Sequence, residues 1–406
     1  MKIFEIPSFY RSPIISAVKN KRKLDDPRKK DFSPALLDFG TVQFWIPRHF
    51  GFCYGVENAI EISYKAIAEN PGKRIYLLSQ IIHNPGVNED LQSHGLEFIQ
   101  DTLGKQLIPW SEIKAEDIVI IPAFGTSVEI EAKLNEIGVQ TNAYNTTCPF
   151  VEKVWNRAAK LGESDHTIII HGKYSHEETR ATFSHSQQNA PSLVIKDIIE
   201  AEKLSNFILG KASLEQFNQD FEGKYSENFN PEKDLEKIGV VNQTTMLAKE
   251  TQEITDYLRQ TMIDKYGEGN VKDHIADTRD TLCYATNDNQ SSTMGLLDIK
   301  ADIALVVGGY NSSNTTHLVE LLHQKFTTYF INDETKLHAK EEWSSFDIHR
   351  KMEEKVKVNL NNEPLRIIIS SGASCPDATV DRVIQRILEL TENDFPIEQA
   401  IANMEI

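Results

Sequence analysis

The stretch Asn145-Thr146-Thr147-Cys148-Pro149-Phe150-Val151-Glu152-Lys153-Val154-Trp155 decides the fold class. Its second half, continued through Ala158 and Leu161, places apolar residues at the spacing of a half-buried helix, and Gly162 marks a stop. Pro149 suits the first helical position, where a missing N–H costs nothing. Shortly afterwards the period changes. Thr167–His176 (TIIIHGKYSH) opens on Ile168-Ile169-Ile170, apolar on both faces as a buried parallel strand is. The same β-type run breaking into a Gly- and hydroxyl-rich turn recurs at Asp117–Ser127 (DIVIIPAFGTS), Ala304–Asn314 (ALVVGGYNSSN) and Ile367–Asp377 (IIISSGASCPD). A second helix pattern, Val56, Ala59, Ile60, Tyr64 and Ile67, is closed by Pro71. Strands alternating with helices predict parallel-sheet α/β units, with ligands at the carboxyl ends of the strands.

The chain has 406 residues, enough for two or three such units. Its 60 acidic and 43 basic residues give a net charge of −17, which repels phosphate backbones and argues against nucleic-acid binding. A small anionic ligand is still admissible, because nearby amides and cations outweigh a distant screened field. No apolar run approaches the roughly 20 residues that a membrane helix needs, and the start, MKIFEIPSFY, has no secretory-signal pattern. The expectation is a cytoplasmic protein without a membrane partner. The basic run Lys19–Lys30 reads as a solvated tail, with a docking patch for an acidic electron donor as the other reading.

Four cysteines in so long a chain do not make a disulfide framework, and no C-x-x-C pair is present. Their settings are informative. Cys53, in Phe52-Cys53-Tyr54-Gly55, and Cys148 each stand directly before a helix pattern. A helix N-terminus favours thiolate, the species that binds metal, so both thiols are expected to have lowered pKa values. Cys283, in Thr281-Leu282-Cys283-Tyr284, precedes only a weakly helical text, NDNQSSTMGLL. These three predict one cysteine per α/β lobe, meeting at a common centre, with zinc and iron–sulfur both open. His83 (Ser79-Gln80-Ile81-Ile82-His83-Asn84-Pro85) and His176 stand at strand ends, beside Asn311-Ser312-Ser313-Asn314 and Ser371-Gly372-Ala373-Ser374. Together they suggest a cradle of imidazole, hydroxyl and amide donors suited to phosphate.

FGFCYGVENA, IIHNPGVN, NTTCPFVEKVW, HGKYSHEET, NQTTM, CYAT, VVGGYNSSNT and SGASCPD, in this order from about Phe50 to Leu390, resemble the LytB or IspH family of 4-hydroxy-3-methylbut-2-enyl diphosphate reductases. The likeness is to the longer cyanobacterial and plastid form. It implies an oxidoreductase that removes the substrate's allylic hydroxyl as water with two electrons and two protons. The products are isopentenyl and dimethylallyl diphosphate, at the last step of the non-mevalonate isoprenoid pathway. It implies a three-lobed trefoil of parallel-sheet α/β domains around a central [4Fe–4S] cluster. Cys53, Cys148 and Cys283 match its ligands and leave one iron open. His83, His176, Ser312, Ser313, Asn314 and Ser374 match the diphosphate-binding positions, Glu178 the proton donor, and Thr244 the threonine that orients the hydroxyl. The electron donor implied is a ferredoxin or flavodoxin, and the compartment the cytoplasm, or the plastid stroma in a plant or alga.

The domain reading is an N-terminal extension at 1–40, a strand at 41–52 joining the third lobe, and a first lobe at 53–147. A second lobe at 148–282 carries a polar, irregular insertion at about 187–234, and a third lobe with a C-terminal tail occupies 283–406. Two positions depart from the family pattern. Phe124 stands where many shorter members have a phosphate-binding histidine, and Cys375 adds a fourth thiol that would close the cluster if it bound. Three other readings compete: a closed four-cysteine electron-transfer or redox-sensing protein, a zinc hydrolase with Glu178 as base, and a catalytically silent diphosphate binder.

Overall fold

The computed structural model describes residues 5–28, 30–227, 229–276 and 281–405. It is an α/β protein with several parallel sheets and divides into two compact units, residues 1–61, 82–90 and 284–406, and residues 62–81 and 91–283.

The first unit is built on a five-stranded sheet in the order Ala35–Asp38, Val42–Ile46, Leu365–Ser371, Ile303–Val307, Thr328–Ile331. Only the edge strand Ala35–Asp38 runs antiparallel. Strand alternation explains why runs such as Ile303–Val307 are apolar throughout. Ile303, Leu305, Val307, Ile367 and Ile369 enter one core, while Ala304, Val306 and Ile368 enter the core on the other face. A three-stranded antiparallel sheet, Leu337–Ala339, Glu342–Asp347 and Met352–Lys357, buries Trp343 fully.

The basic run at the N-terminus is not a solvated tail. Ser12 caps the helix Pro13–Asp25, accepting from the Ile15 N–H, and Ile14, Ile15 and Val18 enter the main core with Val380, Val383 and Ile384 of the helix Asp377–Leu390. Arg22 lies on the same buried stripe, 2% exposed, and its guanidinium donates to the Asp31 and Ser33 carbonyls. Lys21 donates to the Met404 carbonyl at 2.8 Å. Charge pattern alone misleads here, because the buried stripe has only three apolar residues, Ile14, Ile15 and Val18, beside lysine-rich text.

The second unit holds two parallel three-stranded sheets. One runs Glu97–Phe98, Ile75–Leu77, Ile118–Ile120, and the other Ser192–Ile195, Thr167–His171, Ile238–Asn242. In the latter, Ile169 and Val240 face one core and Ile168, Ile170 and Val241 the other. The segment 187–234 is more ordered than its polar text suggests. It supplies the edge strand Ser192–Ile195 and the helices Ile198–Ile208, Leu214–Phe221 and Pro231–Asp234. Its aromatics are the reason: Phe217 meets Phe207, Phe221, Tyr225 and Phe229 at ring-centroid distances of 4.7 to 5.9 Å. Their spacing along irregular text hides a cluster that only folding assembles.

Candidate functional site

In the second unit, Cys148 follows a short parallel bridge, Ile121 to Asn145, that prolongs the Ile118–Ile120 strand. Its N–H donates to the Ala123 carbonyl at 2.9 Å, and it caps the helix Pro149–Gly162, as the opening stretch predicts. The thiol pKa does not fall, however. Burial pushes it up to about 11, outweighing the amides of Phe150 and Val151 that favour thiolate, while Cys283 and Glu178 add negative charge nearby. A thiol in this setting would give up its proton to solvent only when a bound cation replaced it, the helix amides alone being insufficient.

Cys283 is tied into the same network. Its N–H donates to the Thr244 carbonyl at 3.1 Å, and the Thr244 N–H donates to Glu178 Oε1 at 2.6 Å. Glu178 is 1% exposed, and burial raises its carboxyl to about 7, opposed by hydrogen bonds from the backbone and side chain of Thr244. The structure thus brings Cys148, Glu178, Thr244 and Cys283 into one neighbourhood. Asn242 and Gln243, to which sequence reasoning gave no role, support it. Asn242 exchanges hydrogen bonds with Thr281, two residues before Cys283. Gln243 Oε1 accepts from Lys173 N–H and Thr179 Oγ1, and its amide donates to Thr245 Oγ1 at 2.7 Å. Their signal was present in the unbroken run Asn242-Gln243-Thr244-Thr245.

His176 caps the helix Glu177–Gln187, its Nδ1 accepting the Glu178 N–H at 3.2 Å. A neutral ring held this way carries its proton on Nε2, an outward donor for an anion. Phe124 stacks edge-on against it, centroids 5.7 Å apart at 85°. The aromatic that departs from the family pattern therefore packs against the remaining histidine instead of replacing its hydrogen bonds. Glu177 is also buried, hydrogen-bonded by Ser79 Oγ, and burial raises its carboxyl to about 7.

In the first unit, Cys53 precedes the helix Tyr54–Glu69; its N–H donates to the Ala373 carbonyl at 3.2 Å and its carbonyl accepts the Glu57 N–H at 3.0 Å. His83 is 7% exposed, and burial lowers its pKa to about 4, so the ring is neutral. Ser374 Oγ donates to the His83 carbonyl at 3.1 Å. Gly309 lies so close that a Cβ there would stand 2.2 Å from the same oxygen. Ser312 caps the helix Ser313–His323 by accepting the Thr315 N–H. Asn314 Oδ1 accepts from the Ala373 N–H at 2.9 Å and from Asn289 Nδ2 at 3.3 Å. Its own Nδ2 is buried and, among the described residues, has no partner. An amide whose acceptor is fixed and whose donors are idle suits a ligand rich in oxygens. Asn289 lies on the helix Tyr284–Leu296, whose buried residues are mostly polar, Thr286, Asn289, Gln290, Ser292 and Thr293, beside Ala285 and Leu296. That polar interior is why the helix reads so weakly in sequence.

Cys375 is set apart from the other three thiols. It is fully buried in the main apolar core of the first unit, its thiol 3.6 Å from the Pro376 carbonyl and its pKa pushed far up by burial. Cys53, Cys148 and Cys283 are each partly exposed. Thiols that remain partly exposed are open to a soft metal in a way that a core thiol is not, although among the described residues no group of three His, Cys, Asp or Glu side chains forms a ready metal site.

A profile described as LytB protein matches residues 45–388. A 4-hydroxy-3-methylbut-2-enyl diphosphate reductase of a Cyanothece species is 39% identical over 354 residues, covering 86% of this chain and 85% of its own. One from Gloeothece citriformis is 36% identical over 397 residues, 97% of this chain and 92% of its own, a span that takes in most of the N-terminal helix. Two solved structures share the fold. The E-1-hydroxy-2-methyl-but-2-enyl-4-diphosphate reductase from Plasmodium falciparum has a TM-score of 0.61 at 20% identity, covering 86% of this chain and 88% of its own. Another, described as the terminal enzyme of the non-mevalonate pathway, has a TM-score of 0.50 at 24% identity, covering 85% and 98%.

Proposed function

The chain belongs to the LytB protein family, and from that premise we propose that it reduces 4-hydroxy-3-methylbut-2-enyl diphosphate to isopentenyl and dimethylallyl diphosphate. Its relatives carry the name of that activity over most of their length. The observation that supports it most directly is the hydrogen-bonded run Cys283–Thr244–Glu178, in which a carboxyl of pKa about 7 is held in the electrostatic reach of the Cys148 thiol.

In this reading Cys53, Cys148 and Cys283 hold a [4Fe–4S] cluster and Cys375 does not. When bound, the cluster supplies electrons, and its uncoordinated iron supplies a Lewis-acidic position for the substrate hydroxyl. The residues do the rest. His83, neutral, and His176, with its proton on Nε2, bind the diphosphate with the donors of Ser312, Ser313, Asn314 and Ser374. Neutral donors suit a site where a lysine would have to be desolvated. Thr244 orients the allylic hydroxyl. Glu178, protonated near neutrality because burial disfavours its charge, delivers a proton to that hydroxyl. Loss of water, with two electrons and two protons taken up, gives the two isomeric products. The electrons come from a separate protein, of the ferredoxin or flavodoxin kind, since no dinucleotide fingerprint occurs in the sequence. Among the described residues no helix is long and apolar enough to cross a membrane.

Glu178→Gln tests the assignment on anaerobic protein. The expected result is diphosphate binding within about twofold of the parent and turnover reduced at least about a hundredfold, the scale of general-acid catalysis. Normal turnover in the variant refutes the role of Glu178.

A further inference from the structure

The turn Phe50-Gly51-Phe52-Cys53 is walled by Lys19 of the N-terminal helix and its partner Asp377 from the other end of the chain. Lys19 Nζ donates to both carboxylate oxygens of Asp377, at 2.7 and 3.0 Å, and stands 4.8 Å from the centre of the Phe50 ring. Gly51 packs directly on this pair. Its φ of +72° is left-handed, and a Cβ there would lie 2.5 Å from Asp377 Oδ1, 3.1 Å from Lys19 Nζ and 3.6 Å from the Cys375 carbonyl. The turn is also laced to the sheet end: Gly51 N–H reaches the Ser371 carbonyl at 3.5 Å and Cys53 N–H the Ala373 carbonyl at 3.2 Å. Beyond Cys53, Glu57 carries a carboxyl raised by burial, a shift that Lys19 and Arg11 oppose. A second buried anchor holds the helix itself, Ser12 Oγ donating to Asp381. Ser12 and Lys19 on one helix therefore grip Asp381 and Asp377, one turn apart on the other.

We propose that Lys19 is a positioning residue for Cys53: paired with Asp377, it forms the surface against which Gly51 and Phe50 are seated, and so fixes where the Cys53 thiolate is presented. The inference rests on the reading of Cys53 as a cluster ligand for its consequence in the enzyme, but the local clamp stands independently of it. A neutral side chain at position 19 leaves the Asp377 carboxylate without its cation beside Gly51, and the turn opens more often. The N-terminal helix thereby acquires a role in the site that an appended segment does not have.

The test compares Lys19→Met and Lys19→Arg with the parent. Chelator-treated protein is alkylated with iodoacetamide and the modification followed separately at Cys53, Cys148 and Cys283 by mass spectrometry. Anaerobic holoprotein is challenged in parallel with an iron chelator. In Lys19→Met, Cys53 is expected to react about fivefold faster, the scale set by losing one half-shielded ion pair. Cys148 and Cys283 keep their rates, iron leaves faster by a similar factor, and Lys19→Arg restores both readouts. Unchanged Cys53 reactivity overturns the proposal, and so does equal acceleration at all three thiols, which would mark Lys19 as a general stabiliser. Arginine behaving as methionine does would overturn it too. A parent protein that binds no iron refutes the cluster reading instead, while the alkylation result still decides the clamp.

Discussion

Glu177 and Glu178 stand side by side at the start of one helix, both buried, both with carboxyls raised to about 7, yet bonded to different partners, Ser79 and Thr244. A buried carboxyl whose folded pKa exceeds its unfolded value binds its proton more tightly when folded. Its stabilising effect is complete below the ordinary pKa of 4.5 and is lost as pH rises toward 7. Glu177→Gln removes that dependence at one of the two sites. Relative to the parent, the variant is expected to gain stability in urea titrations at about pH 8 compared with about pH 5, while Glu178 and the other carboxyls raised by burial keep their share of the slope. A difference that does not change with pH would mean that Glu177 is already charged in the folded protein. Phe124 makes a separate prediction. Its edge contact orients His176, so Phe124→Ala is expected to raise KM about threefold to tenfold, the range for losing one aromatic pair, with a smaller change in kcat. Glu177 reads as an ordinary helix-start glutamate, whereas Glu178, through the family resemblance, and the histidines His83 and His176 were legible as candidates in the sequence. That Glu177 is buried and matched to Ser79 was not, because a helix-start glutamate looks the same in text whether solvent or a serine faces it.

At the scale of elements, the strands were the easiest to read and the polar helices the hardest. Ile168-Ile169-Ile170 and Leu305-Val306-Val307 announce burial on both faces, and the structure divides each run between two cores. The helix Tyr284–Leu296 carries little such contrast, since five of its seven buried residues are Thr, Asn, Gln or Ser. The segment 187–234 failed for a related reason, its apolar content being concentrated in aromatics that meet only through the fold. Phe217, 1% exposed at the centre of that cluster, offers the test. Phe217→Ala is expected to cost about 3–5 kcal/mol in a denaturant titration, the usual cost of an aromatic cavity. A loss under about 1 kcal/mol would show that the segment is peripheral to the packing of its unit.

For the whole molecule the cysteines separate function from packing. Four thiols are scattered over a chain of 406 residues, and only one of them is fully buried. Cys148→Ser and Cys283→Ser are expected to abolish bound iron and sulfide in anaerobic preparations. Cys375→Ser is expected to keep both while losing about 1–3 kcal/mol of stability, because a hydroxyl takes the place of a thiol in an apolar core. Iron loss in Cys375→Ser equal to that in Cys148→Ser would reinstate the closed four-cysteine centre. The N-terminal helix belongs to the same scale. Its isoleucines are core residues of the unit that ends the chain, so the helices Pro13–Asp25 and Asp377–Leu390 are packed together although most of the sequence lies between them.

Sequence alone determined the α/β class, the strand-to-helix turns that carry Cys53 and Cys148, and the motifs that place the chain in its family. Those features are local: a period, a breaker, a run of a few residues. The tertiary structure decided what is environmental. It raised the Cys148 thiol where helix position alone predicts lowering, because burial outweighed two amides. It buried Cys375, left the Asn314 amide idle toward a ligand, and turned a basic run into a core helix. Periodicity reports the contrast between protein and water along one element, whereas desolvation and partner choice depend on residues brought in from elsewhere in the chain, and no local text encodes them.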